Sequence, residues 1–153
     1  MQTGTMRLRE LTIKYSLKKS SEGEPVVIGC IATRPSEVAP ALMAILHDEP
    51  AEVFAILCLT TTYRVIAYHE VSRGTLNSTV AEPREVFTGA LLAHAAAIIA
   101  VHQHPSGDPS PSPDDLEITK RLAAAGQLIG VELVDHIIVG DARYCSLKEL
   151  GYL

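Results

Sequence analysis

The sequence contains few cysteines and no long apolar run, and each shortage argues against a class of protein. Its three cysteines, Cys30, Cys58 and Cys145, are widely separated and form no C-x-x-C pair, so neither a disulfide framework nor a catalytic cysteine is expected. The longest apolar stretches, EVFAILCL and AHAAAIIAV, are too short to span a bilayer. The N-terminus lacks the charged-then-apolar pattern of a secretory signal, so a cytoplasmic location is expected.

Positive charge is scarce outside the N-terminus. The chain carries a net charge of -5, yet its first 20 residues hold five Lys and Arg against Glu10 alone. Tight nonspecific binding to nucleic acid needs many basic side chains at phosphates, and the acidic remainder argues against it. The basic arm at residues 1–25 leaves a weak DNA-binding alternative open. Its simpler interpretation is a solvated terminus that ends in the linker-like KKSSEGEP.

The 153 residues, 47% of them apolar, are enough for one domain with a sizeable core. Helical periodicity or capping predicts helices at PSEVAPALMAIL, EPREVFTGALLAH, DDLEITKRLAAAGQLIG and the closing SLKELGYL. Apolar and β-branched runs predict strands at PVVIGC, AEVFAILCLT, YRVIAYHEVS, AAAIIAVHQH, VELVDHIIVG and RYCS. The second and third of these strands are expected to pair antiparallel. The pattern therefore predicts a single domain of mixed α/β class with mostly antiparallel strands.

The stretch AVHQHPSGDPSPSPDD carries the clearest chemical signal. His102 and His104 end an apolar strand, and residues at i and i+2 of a strand point to the same face, so both imidazoles can converge on one ion. The Pro-rich loop that follows holds its shape without secondary structure, because proline restricts the backbone.

Two interpretations of the next helix start remain open. In the structural one, Ser112 is the N-cap, Pro113 takes the first helical position and Asp115 completes a capping box, with no metal involved. In the functional one, Asp115 turns its carboxylate toward the two histidines. Two histidines and one carboxylate form an ordinary catalytic zinc shell, with the fourth position left to water.

The spacing H-x-H-P-x(6)-S-x-x-D, here His102, His104, Pro105, Ser112 and Asp115, resembles the JAMM metalloprotease motif of MPN domains. The longer HQHPSGDPSPSPDD is similar to the RadC-like branch of that family, as are EVFAILCLTTTYRVIAYHEVSRGTLNS, PREVF and VDHIIVGD. The resemblance is strong from about residue 51 to the C-terminus and does not reach the basic arm. It implies a single RadC-like MPN/JAMM domain over residues 26–153. Its expected fold is α/β (α+β) and cytidine-deaminase-like, with a mixed, mostly antiparallel sheet flanked by helices.

The resemblance also implies roles for individual residues. His102, His104 and Asp115 would bind Zn2+, and Ser112 would help to hold the oxyanion that develops on the substrate. The family uses a glutamate at the start of an earlier strand as general base, and the matching position is Glu52, with Glu49 a weaker candidate. His136, in VDHIIVGD, is expected to support either the fold or the site.

Three functions follow from these features. The first is a zinc-dependent metallohydrolase that cleaves peptide or isopeptide bonds in a protein or peptide substrate. The second is a zinc-containing protein-interaction module. The third is a protein associated with DNA repair or mobile elements, without protease activity of its own. An antiparallel edge strand also offers a surface for pairing with a second copy of the chain.

Overall fold

The computed structural model describes residues 27–47, 49–74 and 81–153, and the predicted basic arm lies outside them. The described elements are α1 (Pro35–Ile45), β1 (Val53–Leu59), β2 (Val65–Arg73), α2 (Pro83–Leu92), β3 (Ala97–Gln103), α3 (Pro113–Ile129), β4 (Glu132–Val139) and β5 (Tyr144–Ser146). In these ranges, none of the helices has the length and apolar character that a bilayer span requires.

The five strands form one sheet in the order β2-β1-β3-β4-β5. Three of the four neighbouring pairs are antiparallel, and β3 and β4 form the parallel pair. This arrangement confirms the predicted α/β class with a mixed, mostly antiparallel sheet. The predicted antiparallel pairing of β1 with β2 across the Thr-rich turn is also confirmed.

Helices cover both faces of the sheet, which explains why β1 and β3 are buried along their whole length. Odd-numbered residues of β1, such as Leu57, pack in a core that includes Leu42 of α1. Even-numbered residues, such as Ile56 and Cys58, pack in a second core with Phe87 of α2 and Leu122 of α3. Cys58 is fully buried there, as expected of a small core side chain.

Two predicted elements at the ends of the domain are wrong. The expected strand at PVVIGC is a turn where it is described, because Gly29 adopts a φ of 91° and the Cys30 N–H bonds the Val27 carbonyl. The expected closing helix is a short series of turns between Leu147 and Gly151. Gly151, with a φ of 83°, ends this segment before a second helical turn can form.

One edge of the sheet gathers three chain segments. The register pairs Val53, at the start of β1, with Gln103, at the end of β3, and pairs Gln103 with Val139, at the end of β4. Residues just before β1 and just after β3 are therefore neighbours in space, although about 50 residues separate them in sequence. This edge carries the candidate site.

Candidate metal centre

The end of β3 presents His102 and His104 on the face of the sheet that α3 covers. The strand alternates its side chains, so Gln103 between them points to the opposite face. The two imidazole centroids lie 4.8 Å apart with the rings nearly perpendicular. His102 is 4% exposed, whereas the side chain of His104 is 15% exposed and lies closer to solvent. The two histidines predicted from the H-x-H spacing are therefore brought together at one point.

The start of α3 brings Asp115 to the same point through a capping box. Ser112 is the N-cap, and its Oγ accepts from the Asp115 N–H at 3.1 Å while its own N–H donates to Asp115 Oδ2 at 2.7 Å. The same carboxylate approaches the histidines, with Oδ1 at 2.9 Å from His102 Nδ1 and Oδ2 at 3.2 Å from His104 Nε2. The capping contact and the histidine contact thus coexist in one side chain.

Asp115 and His102 form a close contact inside the protein. Asp115 Oδ1 lies 2.9 Å from the buried His102 Nδ1, although none of the described residues offers this nitrogen a well-aligned hydrogen bond. Two atoms that bind one zinc ion tetrahedrally at about 2.0–2.1 Å are about 3.3 Å apart, so they come close without a proton between them. The described contacts of 2.9 Å and 3.2 Å are close to that spacing. Two imidazoles and a carboxylate at these distances form a donor set that can bind a metal ion.

Glu52 reaches the histidines from the residue before β1. Its carboxylate contacts His102 Nε2, the ring nitrogen on the side away from Asp115. Glu52, His102 and His104 each offer one ligand atom, and these atoms lie within 4.8 Å of one another. This cluster could hold a metal ion. The weaker candidate Glu49 instead forms an ion pair with Arg73.

The proline-rich loop fixes the ring of His104. His104 Nδ1 lies 2.7 Å from the Asp108 carbonyl oxygen, and a carbonyl only accepts, so Nδ1 carries the proton. The other nitrogen, Nε2, faces the Asp115 carboxylate at 3.2 Å, and this contact raises the pKa of His104, so a proton or a metal ion can lie between the two atoms. A ligand histidine in a metal site is held in the same way, with its second nitrogen donating to a backbone carbonyl.

The carboxylates set the charge of the site. Burial lowers the pKa of His102, but the neighbouring Asp115 and Glu52 carboxylates raise it more, to about 9. Burial likewise raises the pKa of Asp115, but its contacts with His102, His104 and the Ser112 N–H bring that pKa well below its ordinary value. The hydrogen bond with His102 lowers the pKa of Glu52. Both carboxylates are thus ionised at neutral pH and attract a cation, either protons or a metal ion.

Comparison with known proteins identifies the family of the domain. The profile described as "RadC-like JAB domain" matches residues 32–152, which is well over half of the chain. The chain belongs to the RadC-like JAB domain family. It is similar to a UPF0758 protein of Desulfitobacterium hafniense, strain DCB-2, with 38% identity over 150 residues that cover 98% of this chain and 66% of the relative.

Two further relatives carry the same name. A UPF0758 protein of Clostridium acetobutylicum is 45% identical over 148 residues, covering 97% of this chain and 62% of that protein. One of Bacillus licheniformis is 50% identical over 119 residues, covering 78% of this chain and 53% of that protein. The chain thus spans between about half and two thirds of the length of these relatives.

Every residue of the predicted site lies at this edge of the RadC-like domain. Ser112 is half-buried, and its bond to the Asp115 N–H uses a lone pair, so its hydroxyl proton stays available to another acceptor. Motif spacing alone could not find Glu52, because only the pairing of β1 with β3 brings residue 52 beside His102. Spacing also missed Thr119, which is buried one turn after Asp115.

Gly140 tests whether the loop holds His104 in place. A Cβ at Gly140 would lie 2.2 Å from the Gly107 carbonyl oxygen and 2.9 Å from Pro109 Cδ, and both atoms belong to the loop after His104. We expect Gly140→Ala to displace this loop, to lower the free energy of unfolding by about 1–3 kcal/mol and to weaken metal binding. Chemical denaturation and metal titration measure the two effects. The exposed Ala142→Ser is the control, and wild-type metal affinity in Gly140→Ala would show that the loop does not hold the site.

Proposed function

We propose that this RadC-like domain is a zinc-dependent hydrolase of amide bonds in peptides or proteins, either peptide or isopeptide bonds. The observation that carries the proposal is the meeting of His102, His104 and Asp115 with Glu52 at one edge of the sheet. His102, His104 and Asp115 would hold the ion, and Glu52 would remain outside the ligand set. A set of imidazole and carboxylate ligands suits zinc among the common divalent metals.

Each residue then has a defined task. Bound zinc supplies Lewis-acid activation of water and of the scissile carbonyl, at neutral pH. The Glu52 carboxylate takes the proton of the attacking water and delivers it to the departing amine. The Ser112 hydroxyl donates a hydrogen bond to the carbonyl oxygen as that oxygen gains charge. The hydrogen bond with His102 lowers the pKa of Glu52, so its carboxylate is ionised at neutral pH, as a proton acceptor must be.

Partial exposure favours catalysis over a purely structural ion. A structural zinc site is closed by four protein ligands, whereas a catalytic site keeps one position open. The Glu52 side chain is 26% exposed and that of His104 is 15% exposed, so solvent reaches the cluster. The alternatives of a zinc-containing interaction module and of a DNA-associated protein without protease activity receive no comparable support from the site.

A hydrolysis assay with metal removal tests the proposal. The probes are an internally quenched peptide library and an isopeptide formed on a lysine side chain, incubated with the full chain. We expect cleavage of at least one probe, its loss on treatment with a zinc chelator, and its return when Zn2+ is added back. Metal-loaded protein that cleaves none of the probes faster than a Glu52→Gln variant would contradict the hydrolase function while leaving the metal site intact.

A further inference from the structure

Thr119 is a polar residue in the apolar stripe of α3. The helix turns Asp115, Thr119, Leu122 and Gly126 toward the sheet, and Thr119 is fully buried. A buried hydroxyl is unfavourable unless it is hydrogen-bonded. Thr119 Oγ1 lies 2.5 Å from the Asp115 carbonyl oxygen and 2.6 Å from His136 Nδ1, so the hydroxyl joins α3 to β4.

The direction of these two hydrogen bonds follows from the chemistry of the partners. A carbonyl oxygen only accepts, so the single proton of the Thr119 hydroxyl goes to Asp115. The contact with His136 must then have the Nδ1–H of that ring as donor and Thr119 Oγ1 as acceptor. His136 therefore donates to Thr119, and Thr119 donates to the backbone carbonyl of Asp115. The carboxylate of the same Asp115 contacts both candidate zinc-binding histidines.

The ring of His136 also supports His102 directly. His136 pairs with Ala100 on β3, and His102 is two residues further along that strand on the same face. The His136 and His102 rings are stacked, with centroids 6.1 Å apart and planes 9° from parallel. The Phe54 ring packs against both, at 5.7 Å from His102 and 5.5 Å from His136. His136 thus contacts the site by two routes, one to each of two proposed ligands.

Asp135 anchors the strand beside His136. Its Oδ1 accepts from the His136 N–H at 2.7 Å and from the Lys148 N–H at 3.1 Å, while Oδ2 accepts from the Ser146 hydroxyl at 2.7 Å. Asp135 is 3% exposed, so these bonds form in the interior. The backbone that carries His136 is therefore fixed independently of the metal site.

The Thr119–His136 pair is less favourable for core stability than apolar side chains of the same shape would be. His136 is fully buried, and its Nε2 has no hydrogen-bond partner among the residues that the structure describes. Apolar side chains of similar shape would fill the same volume without this unsatisfied nitrogen, and such replacements are nearly neutral or stabilising. Stability alone does not explain why a histidine and a threonine occupy these positions.

We propose that His136 and Thr119 are positioning residues of the metal centre: the hydrogen bond chain fixes Asp115, and the stacked His136 ring fixes the orientation of His102. This inference rests on the proposed function, because it assigns the two residues to the same zinc site. Partners that orient metal ligands in this way are worth about 10–100-fold in metal affinity.

Thr119→Val and Thr119→Ser separate this role from packing. Valine keeps the shape and removes the hydroxyl, whereas serine keeps the hydroxyl. We expect Thr119→Val to bind Zn2+ about 10–100-fold more weakly in competition with a chromophoric chelator, and Thr119→Ser to match the wild type. The visible absorption of the Co2+-loaded protein, which reports ligand geometry, should change only in Thr119→Val. Wild-type affinity and spectrum in a folded Thr119→Val would overturn the inference.

The double variant Thr119→Val/His136→Leu keeps the test decisive if the single variant folds poorly. We expect its metal-free form to unfold at the same or a higher denaturant concentration than the wild type, while its Zn2+ affinity falls at least about 10-fold. Zn2+ affinity equal to that of the wild type would refute a positioning role. A wild type that binds Zn2+ and cleaves no amide would refute the hydrolase function alone, whereas a wild type that binds no metal would refute both.

Discussion

We expect Asp115→Asn to lose most of its affinity for Zn2+ and Asp114→Asn to keep the wild-type affinity. Asp115 contacts both imidazoles, and the neutral amide of asparagine is a much poorer zinc ligand than a carboxylate. Loss of a ligand should exceed the effect of losing a supporting residue, so we expect Zn2+ affinity to fall more than about 100-fold. Competition with a chromophoric chelator measures the change.

The neighbouring aspartate is the matched control. Asp114 is exposed in the same first turn of α3, and Asp114→Asn makes the same change of charge one residue away. Asparagine at position 115 keeps a carbonyl oxygen that can still accept from the Ser112 N–H, so the capping box is only partly weakened. Equal Zn2+ affinities in the two variants would remove Asp115 from the ligand set.

Glu52→Gln is expected to keep the metal and lose the activity. The cluster of Glu52 with His102 and His104 could itself hold an ion. The main alternative to Glu52 as the general base is therefore Glu52 as a metal ligand. If Glu52 is the general base, its amide cannot take a proton from water, and kcat falls about 10²–10⁴-fold. Elemental analysis of the same sample should show wild-type zinc content.

Glu49→Gln controls for the change of charge near this edge of the sheet. Glu49 pairs with Arg73 rather than with the histidines, so its variant should retain both zinc and kcat. If Glu52→Gln loses zinc together with activity, Glu52 is a ligand, and the assignment of the base is wrong. If Glu52→Gln retains wild-type kcat, Glu52 has no part in the reaction.

The part of the site that lies close together in sequence was predictable. His102 and His104 occupy alternate positions at the end of one strand, and a single loop connects them to Asp115. The period of a strand and the signature of a capping box are local properties, so spacing alone places the two histidines side by side and starts the helix at Ser112, but it left open whether Asp115 faces the histidines. Glu52 is different, because its place beside His102 depends on a pairing between strands far apart in the chain, and only the family resemblance pointed to it.

Tertiary context decided the remaining features. The parallel pairing of β3 with β4 brings His136 under His102, and no local pattern in VDHIIVGD specifies a partner strand. Thr119 likewise reads as an ordinary position in a helix, and its importance emerges only when the hydroxyl meets His136. The predicted strand and helix at the two ends of the domain were wrong for another reason. Gly29 and Gly151 adopt positive φ angles and turn the chain, although the composition around them favours a strand and a helix.

The most direct test of the metal centre is the zinc content of protein purified without an affinity tag, measured by elemental analysis. The wild type and His104→Ala are compared, with His69→Ala, an exposed histidine on β2, as the control. We predict about one zinc per chain in the wild type and in His69→Ala, and its loss in His104→Ala. Absence of bound metal from the wild type, or equal zinc in all three proteins, would contradict the account.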